Sequence, residues 1–167
     1  SHVLPPDLRN PTGALAVLNR LTQKAAMRLR KQNVYATAMS VHVRSRQASG
    51  GHVGDERAAQ VGETQDTAFL LHTLDTLWHS GLHRWPKPVS VGVQLHGLVP
   101  AVQHTPDLFE GDGGAPKKDR SKLMAALDAL NGKHGKNTVY FASAQAGLDH
   151  APMRIAFNRI PDLESER

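Results

Sequence analysis

Hydrophobic residues recur at helical spacing in two segments of the first hundred positions. The first segment follows Asn10-Pro11, because Asn caps a helix and Pro fits its first turn. Its apolar positions are Ala14, Leu15, Leu18, Leu21, Ala25 and Leu29. The second segment is "ETQDTAFLLHTLDTLWHSG", with Thr64 or Asp66 as the cap and Gly81 at the end. Each pattern predicts a helix with one apolar face.

Two other segments, residues 34–46 and 89–96, alternate between apolar and polar residues with a period of two. This period predicts strands with one buried face. The outward positions are Ser40, His42, Arg44 and Arg46 in the first strand and Ser90, Gly92, Gln94 and His96 in the second. Residues 52–61 are a weaker strand candidate, because the acidic pair Asp55-Glu56 blurs the alternation.

The order of these elements predicts the fold class. If residues 1–4 end a first strand, the order to residue 99 is strand-helix-strand-strand-helix-strand. The economical packing is an α+β domain whose four-stranded antiparallel sheet carries two helices on one face and leaves the other face open. Residues 100–118 then form a flexible linker. Residues 119–167 form a C-terminal extension, with a helix from Asp119 through Leu130 and a short strand at "NTVYFAS".

Charge is distributed unevenly along the chain. The net charge is +5, yet the first 50 residues hold eight Lys or Arg and a single acid, Asp7. A basic half indicates a polyanionic partner, most often nucleic acid; a solvated basic face without a partner is the alternative. Four bases form a stripe on the first helix that we expect to face solvent: Arg20, Lys24, Arg28 and Lys31.

Composition excludes several classes of protein. The chain has no Cys, which rules out disulfides, Cys-zinc sites and thiol nucleophiles and fits a cytoplasmic location. No apolar run approaches the ~20 residues of a membrane span, so no membrane partner is expected. The N-terminus has neither a signal-peptide pattern nor an initiator Met, so we expect a fragment of a longer protein. Aromatic residues make up only 5%, which argues against a base-stacking surface.

Catalytic and metal-binding motifs are missing from the sequence. HExxH, Walker, Rossmann and GxSxG patterns do not occur. The ten histidines are scattered, and the pair His79 and His83 is interrupted by Gly81 and lacks a carboxylate ligand. We therefore predict no catalytic and no metal-ligating residue, while a small enzyme with a histidine-based site stays an alternative.

The outward positions of the two clear strands carry hydroxyl, amide, imidazole and guanidinium groups and no acid. Such groups donate hydrogen bonds to phosphates. Gly92 would also let a backbone N–H approach a ligand closely. The pattern favours a nucleic-acid surface over a merely hydrated sheet face, and a stand-alone RNA-binding module is as open as a DNA-binding one.

Four stretches stand in order along the chain: residues 1–44, "TQDTAFLLHTLDTLW", "KPVSVGVQLHGLV" and "SKLMAALDALNGKHGKNTVYFAS". They resemble, in turn, the entry into the little finger of Y-family translesion DNA polymerases of the DinB/UmuC type, its second helix, its last strand and the extension of the UmuC-like branch. In that family the little finger is a four-stranded sheet with two helices on one face. Its open face lies in the DNA major groove and grips the phosphate backbone.

The resemblance implies that the open face binds primer-template DNA. The candidate DNA-binding residues are His42, Arg44, Arg46, Arg57, Ser90, Gly92, Gln94 and His96. Ser90 and Gln94 stand where family members often have Arg or Lys, which implies weaker phosphate binding. The family's catalytic carboxylates and Mg ions belong to a palm that nothing here resembles, so we expect this fragment to be inactive alone and to carry no cofactor.

The loop "VQHTPDLFEGDGGAP" places two large apolar residues in an acidic, Gly- and Pro-rich stretch. The resemblance implies a sliding-clamp peptide of the kind Gln-Leu-x-Leu-Phe, which falls on Thr105, Pro106, Asp107, Leu108 and Phe109. Only Leu108 and Phe109 match that pattern. Two apolar anchors fit docking in a groove; the alternative is that they pin the loop to its own domain. The UmuC-like extension also implies contacts with other damage-response proteins.

Overall fold

The computed structural model describes residues 1–47, 49–104, 120–135 and 138–147. In these ranges the strands are β1 (His2–Val3), β2 (Val34–Arg46), β3 (His52–Thr64), β4 (Pro88–His96) and β5 (Val99–Pro100), and the α-helices are α1 (Pro11–Lys31), α2 (Thr67–His79) and α3 (Ser121–His134). None of these helices is both long enough and apolar enough to cross a membrane.

The helices start where their capping residues predict. The Asn10 side chain accepts a hydrogen bond from the Gly13 N–H at 2.8 Å, and Pro11 occupies the first turn of α1. For α2, Asp66 is the cap, and its carboxylate accepts bonds from the backbone N–H groups of Ala68 and Phe69. Local hydrogen bonding therefore sets both starts.

The sheet is antiparallel, with the strand order β1-β4-β2-β3, and β5 pairs with the start of β2. The central strand β2 has Val41 opposite Val93 on β4 and opposite Arg57 on β3. This four-strand path confirms the predicted α+β fold, and the short β5 is an addition to it. The weaker strand candidate is a full strand that extends to Thr64.

Helices α1 and α2 cover one face of the sheet. The odd-numbered residues Met39, Val41 and Val43 of β2 and Val91 of β4 are fully buried on that face. They pack in one cluster with helix residues such as Leu18, Leu70 and Leu74, which are also fully buried. Each buried Leu contributes about 1.5–3 kcal/mol relative to an exposed one. From Ala38 onward on β2, and from Ser90 onward on β4, even-numbered positions consequently point away from the helices.

The extension packs against α1 on the helix side, and the strand predicted at "NTVYFAS" is wrong for residues 138–143. Residues 138–141 are irregular, and Ala142–Gly147 form a 3-10 helix. Side-chain amides take the place of a partner strand. Asn131 bonds both the N–H and the carbonyl of Val139, at 3.0 and 2.9 Å, and Gln23 bonds both backbone groups of Phe141, at 3.0 and 3.3 Å.

The basic stripe of α1 is only partly solvent-facing. Arg20 is 7% exposed, and its Nη1 donates a hydrogen bond to the Gly147 carbonyl at 2.9 Å. The expectation that Arg20 faces solvent is therefore wrong, because the extension lies over the first half of the stripe. Arg28 and Lys31, at the end of the helix, are exposed as expected.

Candidate nucleic-acid interface

The open face of the sheet brings together seven of the eight predicted DNA-binding residues. They are His42, Arg44 and Arg46 on β2 and Ser90, Gly92, Gln94 and His96 on β4. In the register, Arg44 lies opposite Ser90, and His42 lies opposite Gly92. Arg44 and Arg46 are both exposed. The face therefore offers two guanidinium groups beside neutral hydrogen-bond donors, a combination that suits phosphate contacts.

Arg57 is the exception, and its predicted place on the open face is wrong. It lies opposite Val41, whose side chain is in the core, so Arg57 points to the helix side. There its Nη1 donates to the Asp55 carboxylate, and its guanidinium lies close to Gly81, just beyond α2. The Asp55-Glu56 pair obscured which β3 residues turn inward, and the pairing with β2 decides it.

Two open-face residues of β3 complete the site. Glu56 lies opposite His42, and His52 lies opposite Arg46. Both are exposed. The alternation of residues 52–60 with a period of two was the sequence signal that could have placed Glu56 and His52 on the open face. The face is therefore not free of acids, because the Glu56 carboxylate offsets part of the charge of the two arginines.

His42 occupies the middle of the face and explains Gly92. A Cβ at Gly92 would lie only 2.2 Å from the His42 Cε1 and 2.5 Å from its Nε2. Glycine is needed here because the imidazole fills the space above the strand. The expectation that Gly92 leaves its backbone open to a ligand is thus wrong, since the imidazole covers it.

The electrostatics of His42 favour a neutral ring. Burial lowers its pKa from the ordinary value of a histidine, and Arg44 lowers it further, while Glu56 opposes them. In the next row of the face, the Ser40 hydroxyl and the His96 Nε2 are 3.0 Å apart and share a hydrogen bond. The polar groups around His42 are thus partly organised before any ligand arrives.

One end of the sheet holds the residue that precedes the predicted clamp peptide. The His104 ring stacks on Tyr35, with ring centroids 3.8 Å apart and planes 13° apart. Its Nδ1 also pairs with the Glu63 carboxylate. Thr105, Pro106, Asp107, Leu108 and Phe109 themselves lie outside the described residues. The stack and the hydrogen bond to Glu63 fix the point from which that segment departs.

The histidines near the end of α2 lie close to each other, and each has one ring nitrogen bonded to the backbone. The ring centroids of His79 and His83 are 5.7 Å apart. Each Nδ1 bonds a backbone carbonyl, that of Asp75 at 2.9 Å and that of Trp78 at 3.2 Å. Across the described ranges, no group of three or more His, Cys, Asp or Glu could hold a metal ion.

Comparisons with known proteins match both parts of the chain. The model of the impB/mucB/samB family C-terminal domain matches residues 1–108, more than half of the chain. A domain of unknown function, DUF4113, matches residues 121–154. The protein UmuC of Salmonella typhimurium is 32% identical over 126 residues, which are 71% of this chain and 28% of that protein. This chain therefore belongs to the impB/mucB/samB family, and residues 1–108 are its C-terminal domain, the little finger of a Y-family polymerase.

Proposed function

We propose that the domain holds primer-template DNA by its phosphate backbone through the open face of the sheet. The observation that carries the proposal is the exposed pair Arg44 and Arg46 on the central strand, flanked on β4 by the neutral donors Ser90 and Gln94. Guanidinium groups bind phosphate without reading sequence. A polar sheet face that none of the described helices covers leaves room for a duplex.

The same face supports modest rather than tight binding. Among its described side chains, Glu56 opposes the two arginines, and Ser90 and Gln94 bring no charge. Few counterions are then released on binding, so affinity falls only shallowly with salt. Such a module suits a protein that must hold DNA without fixing its sequence. For the complete protein, of which this chain matches a part, we propose translesion DNA synthesis, with the catalytic chemistry outside these residues.

Replacing Arg44 and Arg46 together by alanine is expected to weaken DNA binding and to flatten its salt dependence. The slope of log K against log salt is negative, and each lost phosphate contact reduces its magnitude by about 0.9. The magnitude should therefore fall by about 2 in the double variant. Fluorescence anisotropy with a labelled primer-template at several salt concentrations measures both quantities.

Arg57→Ala is the matched control, because it removes one positive charge from the same sheet on the helix side. It should leave the slope nearly unchanged. An unchanged slope in the Arg44→Ala, Arg46→Ala variant would refute binding through this face. Tighter binding to an A-form RNA duplex than to primer-template DNA would favour an RNA-binding module instead.

We further propose that Thr105–Phe109 aid recruitment to a sliding clamp, as the match at Leu108 and Phe109 implies. Replacing both residues by alanine should weaken clamp binding at least about tenfold, since apolar anchors dominate peptide docking. Surface plasmon resonance on immobilised clamp gives the affinity, and Asp107→Ala, at the variable position of the peptide, is the control. If the double variant instead melts much earlier than the parent, the pair belongs to the core of this domain.

A further inference from the structure

We propose that His42 is a proton-linked phosphate ligand, so that the domain takes up a proton when it binds DNA and binds more tightly as the pH falls. This inference rests on the proposed DNA binding by the open face. It adds a residue with a defined role and a dependence on pH that the arginines cannot supply, because they stay charged at all relevant pH values.

The position of His42 makes it the central side chain of the face. It lies on the middle strand β2, two residues from Arg44, with Gly92 on one side and Glu56 on the other. The ring is half-buried and lies over Gly92. Within the described residues, neither of its nitrogens has a hydrogen-bond partner. A ring held in place with both nitrogens uncommitted is ready to accept a ligand.

The charges around the ring come from two strands. On β2 the neighbour is Arg44, and on β3 it is Glu56. The facing positions of β4 carry no charge at Ser90, Gly92 and Gln94, and His96 is engaged with Ser40. Burial and Arg44 keep the pKa of His42 below that of an ordinary histidine, against the opposing effect of Glu56.

A phosphate group close to this ring acts against the surroundings that lower the pKa of His42. Its negative charge favours the imidazolium, so the pKa of His42 is higher in the complex than in the free domain. Above the pKa of the complex, affinity does not depend on pH through this group. Between the two pKa values affinity rises as the pH falls, by up to about tenfold per pH unit for one proton. Below the pKa of the free domain it levels off.

The test compares the DNA affinity of the parent chain and of His42→Gln between about pH 5 and 7.5, the range in which histidines titrate. Glutamine keeps a polar side chain of similar reach but does not titrate. We expect the parent to gain affinity on acidification and His42→Gln to lose most of that gain. His72→Gln, an exposed histidine on α2, is the control and should behave like the parent.

A second measurement does not depend on the variant folding. The imidazole signals of His42 in the parent, followed by NMR, should titrate at a higher pH with DNA bound than without it. The inference is overturned if this titration does not move, or if His42→Gln keeps the parent's pH dependence while His52→Gln or His96→Gln loses it. Failure of the proposed function is distinct, because the parent would then show no DNA binding at any pH.

Discussion

Replacing Arg30 by alanine is expected to lower the free energy of unfolding by about 3 kcal/mol, because it leaves a partly buried carboxylate without its partner. Arg30 holds three elements together. Its Nε and Nη2 bond both oxygens of Asp128 on α3, at 2.6 and 2.9 Å. Its Nη1 donates to the Gln65 carbonyl at 2.8 Å and to the Thr67 hydroxyl at 2.9 Å, at the start of α2.

The burial of this pair sets the size of the effect. The Arg30 side chain is 15% exposed and that of Asp128 is 28% exposed, so water compensates only in part for a lost partner. Arg30→Lys should recover little of the lost stability, because an ammonium cannot make the two parallel bonds of a guanidinium. The extension should also separate from α1 more often, and its peptide bonds should then be cut faster by a protease.

Arg28→Ala is the matched control for Arg30→Ala. It removes the same charge two residues earlier in the same helix, but Arg28 is exposed. Urea unfolding and limited proteolysis compare the two variants, and a double-mutant cycle with Asp128→Ala isolates the pair. If Arg30→Ala unfolds at the same urea concentration as Arg28→Ala, the ion pair does not hold the extension.

The position of this contact separates stability from the proposed function. Arg30 is on the helix layer, whereas Arg44 and Arg46 are on the opposite face of the sheet. Arg30→Ala should therefore leave DNA affinity unchanged at temperatures where the domain is folded. The extension in turn leaves the open face uncovered, at least in its described residues.

Local patterns were enough to predict the elements that carry the site. The caps Asn10 and Asp66 act within three residues, and the alternation along residues 34–46 and 89–96 reflects burial under the helices. Seven of the eight candidate DNA-binding residues consequently lie where the sequence placed them. Their role in binding DNA stays a prediction.

The errors fall where partners distant in sequence decide the outcome. Arg57 faces the helices because β3 pairs with β2 in one register, and the acidic pair Asp55-Glu56 obscured the alternation along residues 52–60 that agrees with it. Arg20 is buried by Gly147, which is 127 positions away. Residues 138–141 have strand-like composition, but Gln23, which is 118 positions away, bonds both backbone groups of Phe141. Local sequence patterns report the intrinsic preference of a segment for helix or strand. In these cases a contact between residues distant in sequence overrides that preference.

Replacing Gly13 by alanine is expected to lower the free energy of unfolding by about 2 kcal/mol through overlap in a packed site. Helix propensity alone predicts the opposite sign, because Ala is favoured over Gly in a helix by about 1 kcal/mol. A Cβ at Gly13 would lie 2.8 Å from both the Cα and the carbonyl oxygen of Leu8. Both are backbone atoms, so no change of rotamer relieves the contact.

Relief would require α1 to move away from the turn that precedes it. That movement would disturb Leu8, which is 7% exposed in the core, and the cap bond from the Gly13 N–H to Asn10. Gly132→Ala is the matched control, because Gly132 lies within α3 and a Cβ there meets nothing within 4 Å. In urea unfolding, the free energy of unfolding of Gly132→Ala should equal or exceed that of the parent. That of Gly13→Ala should be well below it. Equal stability of the two variants would mean that propensity, rather than the contact with Leu8, governs the start of α1.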